Sequence, residues 1–392
     1  MIEKWKKSMD DKKSFGALLT DLSKAFDCLV HDLLIAKLNA YGFTLPSLKI
    51  IHSYLSNRKQ RVKINGEYSS WNDIILGVPQ GSILGPLLFN IYMCDMFFHI
   101  GNIDIVGYAD DNTPYLMDVN CNSVIENLQF SAGEMSKWFS HNYMLLNADK
   151  CHLLLTGPDS PSQTMRFGTE VLSPSDGEKL LGIFIDSNLT FENHISRLCE
   201  KASQKIHALS RILPFIDFHK KRTLMKAFIM SQFNYCPLIW MMHSRKIENF
   251  INRIHERALR LVYGDKNASF EELLERDSSV SIHQRNLQCL AIEMFKILKG
   301  FAPTIMNELF EYKEPCSYDI RNRSEFKRTN VRTVTYGENS ISHLGPKIWD
   351  LVPAEMKSLD SLSQFKNAIK GWKTGNCPCR ICKTYISQVG FI

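Results

Sequence analysis

Apolar and polar positions follow two rhythms along this chain. In the first half, short apolar runs close on acidic residues. Phe15-Gly16-Ala17-Leu18-Leu19-Thr20 ends at Asp21, and Ile103-Asp104-Ile105-Val106-Gly107 leads into Tyr108-Ala109-Asp110-Asp111. Runs of this length bounded by turn residues predict strands. A further run begins at Thr113, so the spacing predicts a β-hairpin with acid at its tip. His31 to Tyr41 sets Leu33, Leu34 and Leu38 on one helical face. The stretch Gly77-Val78-Pro79-Gln80-Gly81-Ser82 joins a glycine-rich turn to an apolar helix, and Ser82 stands where an N-cap belongs. After about residue 196 the rhythm turns helical, over Arg197 to Arg211, His219 to Gln232, Lys246 to Tyr263 and Ile282 to Lys299. Residues 301–340 are mixed and polar, and Leu344 to Trp372 predicts two short helices.

The chemistry concentrates at the acids. Adjacent carboxylates repel, and a divalent cation is the usual compensation; a solvated Asp-Asp-Asn turn is the plain alternative. Asp21 would join Asp110 if its strand pairs with the hairpin, giving the convergent carboxylates that two-metal phosphoryl transfer uses. It would otherwise cap the following turn. A helix start beside Gly81 favours an anion such as a triphosphate, although loop-to-helix junctions of this kind are common without one.

Taken in order, these segments resemble the palm of reverse transcriptases from non-LTR (LINE-type) retrotransposons, nearest to the jockey/CR1-like branch. The resemblance rests on DLSKAFDCLVHDLLIAKL from Asp21, GVPQGSILGPLLFNIY from Gly77, YADD from Tyr108, MLLNADKCHLLLTG from Met144 and LGIFIDSNLTFENHI from Leu181. Gly85 stands where retroviral-type enzymes and group II intron maturases favour serine, which points to the LINE side. What the resemblance implies is an RNA-directed DNA polymerase with an α+β right-hand palm, an antiparallel sheet packed on helices, followed by a mainly helical thumb. Asp21 and Asp110 would bind a catalytic Mg²⁺ pair, for which Mn²⁺ could substitute. Leu22 would offer its backbone carbonyl and Asp111 would support the site. Phe26 takes the position of the steric gate that selects deoxynucleotides; as a residue it is equally a core aromatic. Gln80 and Gly81 would contact the incoming nucleotide and template base, and Tyr108 the hairpin and primer end. Lys150 falls near the leaving pyrophosphate, though a lysine alone is usually a surface residue. The implied partners are an RNA template, a DNA primer and dNTPs.

The resemblance also sets expectations for domains. Residues 1–196 read as palm with the fingers mostly missing, 197–300 as a thumb-like helical region, 301–340 as a basic linker and 341–392 as a small helical and cysteine-bearing tail. About twenty residues precede Asp21, which suggests a 5′-truncated copy with weak or no activity of its own. The alternative function is therefore a catalytically idle remnant that only binds nucleic acid.

Charge agrees with nucleic acid as partner. Residues 1–200 carry 17 Lys and Arg against 23 Asp and Glu, whereas residues 201–392 carry 30 against 18. An acidic catalytic half joined to a basic half suits a metal site beside a phosphate-binding surface, with Lys220, Lys221, Arg222, Lys226, Arg253, Arg257 and Arg260 on the helical faces and a basic run from Arg321 to Arg328. A solvated basic exterior reads the same way. Eleven cysteines lie mostly within apolar stretches, as reduced core residues of an intracellular protein of nucleus or cytoplasm. No signal peptide or membrane-length apolar run is visible. Cys377, Cys379 and Cys382 invite a zinc reading, but structural zinc takes four ligands and no histidine follows, so zinc is disfavoured. Oligomeric state is not legible.

Overall fold

The first helix, α1 (Ile2–Asp10), docks on the far end of the sequence. In this computed structural model, which describes residues 1–392 apart from 102, 158–162, 168–169, 314–324, 376 and 383–392, Asp10 Oδ1 accepts the backbone N–H and the hydroxyl of Thr333, each at 2.7 Å. Glu3 Oε2 accepts the Ile341 N–H at 2.7 Å. Burial pushes the Asp10 carboxyl up, but the Thr333 and Arg332 donors outweigh it and hold the group below its ordinary range. Residues 1–11 accordingly cluster with residues 179–392 in one unit, and residues 12–178 form another.

The residue 12–178 unit is built on a four-stranded sheet. Its first strand, β1 (Ser14–Leu19), is buried at all six positions, and β2 (Leu22–Ser23) follows at once. The helices α2 (His31–Ala40) and α3 (Leu45–Leu55) come next. Four short strands, β3 (Arg58–Gln60), β4 (Lys63–Ile64), β5 (Glu67–Tyr68) and β6 (Asn72–Ile74), pair as β3·β6 and β4·β5. Then α4 (Leu84–Met93) and α5 (Met96–His99) lead into β7 (Asp104–Tyr108) and β8 (Asp111–Asp118). The long helix α6 (Cys121–His141), β9 (Leu145–Leu146), β10 (His152–Thr156), β11 (Met165–Phe167) and β12 (Glu170–Leu172) complete the unit. Strand order is β10-β1-β8-β7, and every pairing is antiparallel.

Helix α6 lies across the sheet because β1 lets it approach. A Cβ on Gly16 would come within 2.6 Å of Val124 and 2.7 Å of Leu128 on α6. Leu88, Phe89, Tyr92, Val124, Leu128 and Met135 fill the space between helices and strands. Burial of these large side chains is the main force holding the sheet to its helices. The fold is thus α+β, an antiparallel sheet packed on helices, as the sequence predicts. The helix expected from His31 is α2, and the hairpin expected at Asp110 is β7–β8.

β13 (Gly177–Leu180) carries the chain out of this unit, and β14 (Ile183–Asp186) opens the next. The four predicted helices follow as α7 (Glu192–Ser210), α8 (Phe218–Leu224), α10 (Arg245–Tyr263) and α12 (Ile282–Leu298), with two short helices that the sequence pattern does not predict, α9 (Pro237–Trp240) and α11 (Phe270–Arg276), between them. The second prediction is corrected: the helix ends at Leu224 and passes through a π turn over Met225–Ile229 into a 3₁₀ turn over Met230–Phe233. The wider turn leaves Met225 and Ile229 both buried.

The tail is also more broken than two helices. It forms α13 (Ile341–Asp350), α14 (Ala354–Lys357), α15 (Leu362–Ala368) and a final 3₁₀ turn. Pro353 and Ser361 take extended backbone between them, which interrupts the helical path. Together with α12 the tail buries a separate core around Met294, Phe295, Trp349 and Phe365. Within the expected basic linker, Lys327 pairs with Glu311 and Arg328 with Asp350; Arg321 and Arg323 lie outside the described residues. Among the described residues no helix is long and apolar enough to cross a membrane.

Candidate active site

The hairpin tip and the end of β1 meet at one corner of the sheet. Tyr108 pairs with Asp111, leaving Ala109 and Asp110 as a two-residue loop. Ala109 takes a φ of 53°, the left-handed conformation that tight hairpin loops require at their first position. Buried Asn112 ties the loop down by donating to the Asp110 carbonyl at 3.2 Å. Thr20 then joins the two strands. Its N–H and its hydroxyl both donate to the Asn112 carbonyl, at 3.1 and 2.8 Å. The residue before Asp21 is therefore bonded to the residue after Asp111, and the expected convergence of Asp21 with the Asp110-Asp111 tip follows from strand register.

Charge at this corner is only partly compensated, by the single cation Lys150 beside Asp21. Burial is the main cause that pushes the Asp111 carboxyl above its ordinary range, and the charges of Asp110 and Asp21 add to it. Asp21 Oδ2 is buried without a hydrogen bond. Its nearest cation is Lys150, whose Nζ stands 3.4 Å away as an ion-pair contact while the lysine side chain stays 65 % exposed. Three carboxylates, one with a buried oxygen that only the Lys150 ammonium approaches, form a donor set that a hard divalent cation fits. Leu22 is paired with Leu146 and its side chain is in the core, so only its backbone could serve such an ion.

The Phe26 turn and the Gly77–Gly81 loop are locked together. Phe26 sits on a 3₁₀ turn over Ala25–Asp27, and its ring stacks on Phe89 of α4 at 4.5 Å. Val78 N–H donates to the Phe26 carbonyl at 2.9 Å, and Gln80 Nε2 donates to Asp27 Oδ1 at 2.9 Å. Gly77 is obligatory here: its φ is +76°, and a Cβ would lie 2.7 Å from the Asp27 Cα. Gly81 is exposed with φ +78° and open space around it. Ser82 is not the N-cap that the sequence suggests, since Ile83 takes that position, but from one residue earlier its Oγ accepts the Gly85 N–H at 2.9 Å and donates to the Pro79 carbonyl at 2.7 Å. Tyr108 is two-thirds exposed at the hairpin end.

Outside this unit the basic helix faces are partly spent on internal pairs. Arg222 Nε bonds the buried Asp277 at 2.6 Å, Arg260 pairs with Glu256, Lys220 with Asp217, and Arg257 donates to Ser203. Lys226 and Arg253 remain exposed. A second cluster, in the residue 179–392 unit, corrects the ligand count on which the sequence disfavours zinc at Cys377, Cys379 and Cys382. His283, Cys377, Cys379 and Cys382 bring four ligand atoms within 4.8 Å of one another. The fourth ligand, His283, comes from upstream on α12 and not from the residues after Cys382.

An antiparallel sheet that carries carboxylates at a strand end and a hairpin tip, flanked by helices, is the palm of a nucleic-acid polymerase. The family described as "Reverse transcriptase (RNA-dependent DNA polymerase)" matches residues 2–209, more than half of the chain, and the chain belongs to that family. It is similar to the probable RNA-directed DNA polymerase from transposon BS of Drosophila melanogaster, 28% identical over 269 residues, 65% of this chain and 30% of that protein. The RNA-directed DNA polymerase from mobile element jockey of the same species is 27% identical over 53% of this chain and 23% of its own length. These relatives place the chain among non-LTR retrotransposon reverse transcriptases; it spans less than a third of their length. Apo telomerase from Candida tropicalis aligns with a TM-score of 0.39 and 13% identity over 78% of this chain and 54% of that one. Enzymes of this family use divalent metal ions.

Proposed function

We propose that this chain carries the catalytic palm of an RNA-directed DNA polymerase that adds dNTPs to a primer 3′-hydroxyl on an RNA template. The observation that carries the reading is the meeting of Asp21 with Asp110 and Asp111, enforced by the Thr20–Asn112 bonds and left short of positive charge. Two Mg²⁺ ions bound there would supply the electrostatic stabilisation of attacking and leaving oxygens on which phosphoryl transfer depends. Asp21 and Asp110 would be the principal ligands, with the Leu22 carbonyl and Asp111 in support.

The remaining residues divide the work of positioning. Phe26, braced by Phe89, forms a rigid floor under the sugar and crowds a 2′-hydroxyl. The exposed Gln80 amide, fixed by Asp27, and the open backbone at Gly81 face the nucleotide and template base. Lys150 neutralises Asp21 in the present arrangement. Once Asp21 is engaged elsewhere, the long exposed side chain is free to swing to the leaving pyrophosphate as acid or counter-charge. The helices from α7 onward would hold duplex backbone through their exposed cations, Lys226 and Arg253 among them.

Primer extension on an RNA template with Mg²⁺ tests the reading. Incorporation by this chain alone is expected to be weak, and Asp110→Asn should reduce it by about a further 10³-fold, since it removes a charge from the metal site. Template binding without any incorporation, under Mg²⁺ or Mn²⁺, would instead make the chain a nucleic-acid-binding protein only.

A further inference from the structure

We propose that His283, Cys377, Cys379 and Cys382 form a closed structural zinc site. The three sulfurs stand 4.0, 3.4 and 3.5 Å from His283 Nε2. Zinc–sulfur bonds of about 2.3 Å and a zinc–nitrogen bond of about 2.0 Å, set tetrahedrally, put each sulfur about 3.6 Å from the nitrogen. The spacings observed bracket that value, so one ion fits at the centre with sub-ångström adjustment.

Chemistry and surroundings agree with the geometry. Three thiols and an imidazole are a soft, borderline donor set, which selects zinc over magnesium or calcium. Cys377, Cys379 and His283 are buried, and with a fourth protein ligand no position is left for water, the mark of a structural site and not a catalytic one. The Cys382 N–H donates to Cys379 Sγ at 3.4 Å, a bond that favours thiolate at that sulfur. His283 Nδ1 is buried without a hydrogen bond, and so is Glu248 Oε2 on α10, whose carboxylate and the imidazole sense each other's charge. A histidine that binds metal through Nε2 presents its Nδ1–H to a carboxylate or carbonyl, so Glu248 stands ready as the partner that orients the ring. His243, 3.6 Å from the same oxygen, lines the other side of that carboxylate.

The consequence is mechanical. The ligands join the start of α12 to residues 377–382, across 93 intervening positions between His283 and Cys377. An ion there closes the core that α12, α13 and α15 share with Trp372 and Ile381, and ties folding of the tail to metal.

Metal analysis of the untagged 392-residue chain tests this. About one zinc per chain is expected to survive dialysis, and exchange for Co²⁺ should give the intense visible absorption of a tetrahedral thiolate site. Cys379→Ser should lose the metal. His283→Cys should keep it and shift the cobalt spectrum toward a four-thiolate site, which separates ligand loss from misfolding. A folded, metal-free chain whose melting is indifferent to added zinc would overturn the proposal. So would a disulfide between two of the three cysteines, or undiminished zinc in both Cys379→Ser and His283→Ala.

Discussion

Two places in this molecule concentrate metal-capable side chains, and they differ in nearly every physical respect. The aspartate corner of the sheet is hard, anionic and half open; its Lys150 counter-charge is held by one long contact. The His283 cluster is soft, buried and closed, with ligand atoms already within 4.8 Å of one another. Among the described residues it is the only group of three or more such side chains drawn that closely together; the aspartates are not. Three like charges repel until a cation joins them, whereas three sulfurs and an imidazole gather without a set of like charges to hold apart. A polymerase cation must arrive and leave with phosphates and so wants oxygen ligands and an open side. A structural ion must stay, and wants thiolates and a sealed one. On the two proposals made above, one centre would serve exchange and the other retention.

The sharpest way to break this division is to cross the substitutions. Asp110→Asn should abolish incorporation by about 10³-fold with no loss of thermal stability, because it removes a ligand but also a repulsion. His283→Ala should lower and broaden the melting transition whether or not nucleotides are present. Equal melting losses in the two variants would erase the distinction. A chelator gives the next effect: dialysis against EDTA should strip Mg²⁺-dependent incorporation completely and reversibly, while zinc content stays unchanged over the same hours. Phe26→Ala comes third. Removing the ring that Phe89 braces should raise ribonucleotide use relative to deoxynucleotides by about 10–100-fold, the range for one shape-selective contact. Competing incorporation of the two nucleotides on one template measures it, and an unchanged ratio would return Phe26 to the core.

The contrast extends to what the amino-acid order discloses. Asp110 and Asp111 are neighbours in sequence, and Asp21 ends an apolar run that reads as a strand, although its pairing with β8 is supplied by the fold and not by the pattern. Such a site is written in short motifs, and its corner is legible from them. The Gln80 loop is legible for the same reason, since Gly77 and Gly81 need positive φ and must be glycine-like. The zinc-type cluster is half written: its three cysteines stand in one hexapeptide, and its histidine lies on a helix folded back from far upstream. Local pattern carries no trace of that return. The docking of α1 on residues 332–342 is hidden likewise, because Asp10 and Glu3 act through backbone N–H groups that any residue supplies. Basic residues misled in the opposite direction. Arg222 and Arg260 look like phosphate contacts in sequence, yet Arg222 is paired with Asp277, which tertiary packing brings to it, and Arg260 with Glu256 one turn earlier on its own helix.

The smallest effect bears on the carboxylates alone. Asp111 is held above its ordinary range by burial first and by Asp110 and Asp21 after it. A carboxyl with a raised folded pKa costs the fold stability wherever it is ionised; the cost vanishes below its unfolded value of about 3.9 and is full above its folded value. Asp111→Asn should therefore raise the melting temperature of the metal-free chain at neutral pH by about 1–3 °C, a fraction of a kcal/mol spread over a domain of this size. The gain should disappear as pH falls toward 4. Saturating Mg²⁺ should reverse its sign, because the wild-type carboxylate then gains a cation that asparagine holds poorly. Melting curves at two pH values, with and without Mg²⁺, give all four quantities. If the asparagine variant is less stable in every one of them, Asp111 is a structural hairpin residue and the cation belongs to Asp21 and Asp110 alone.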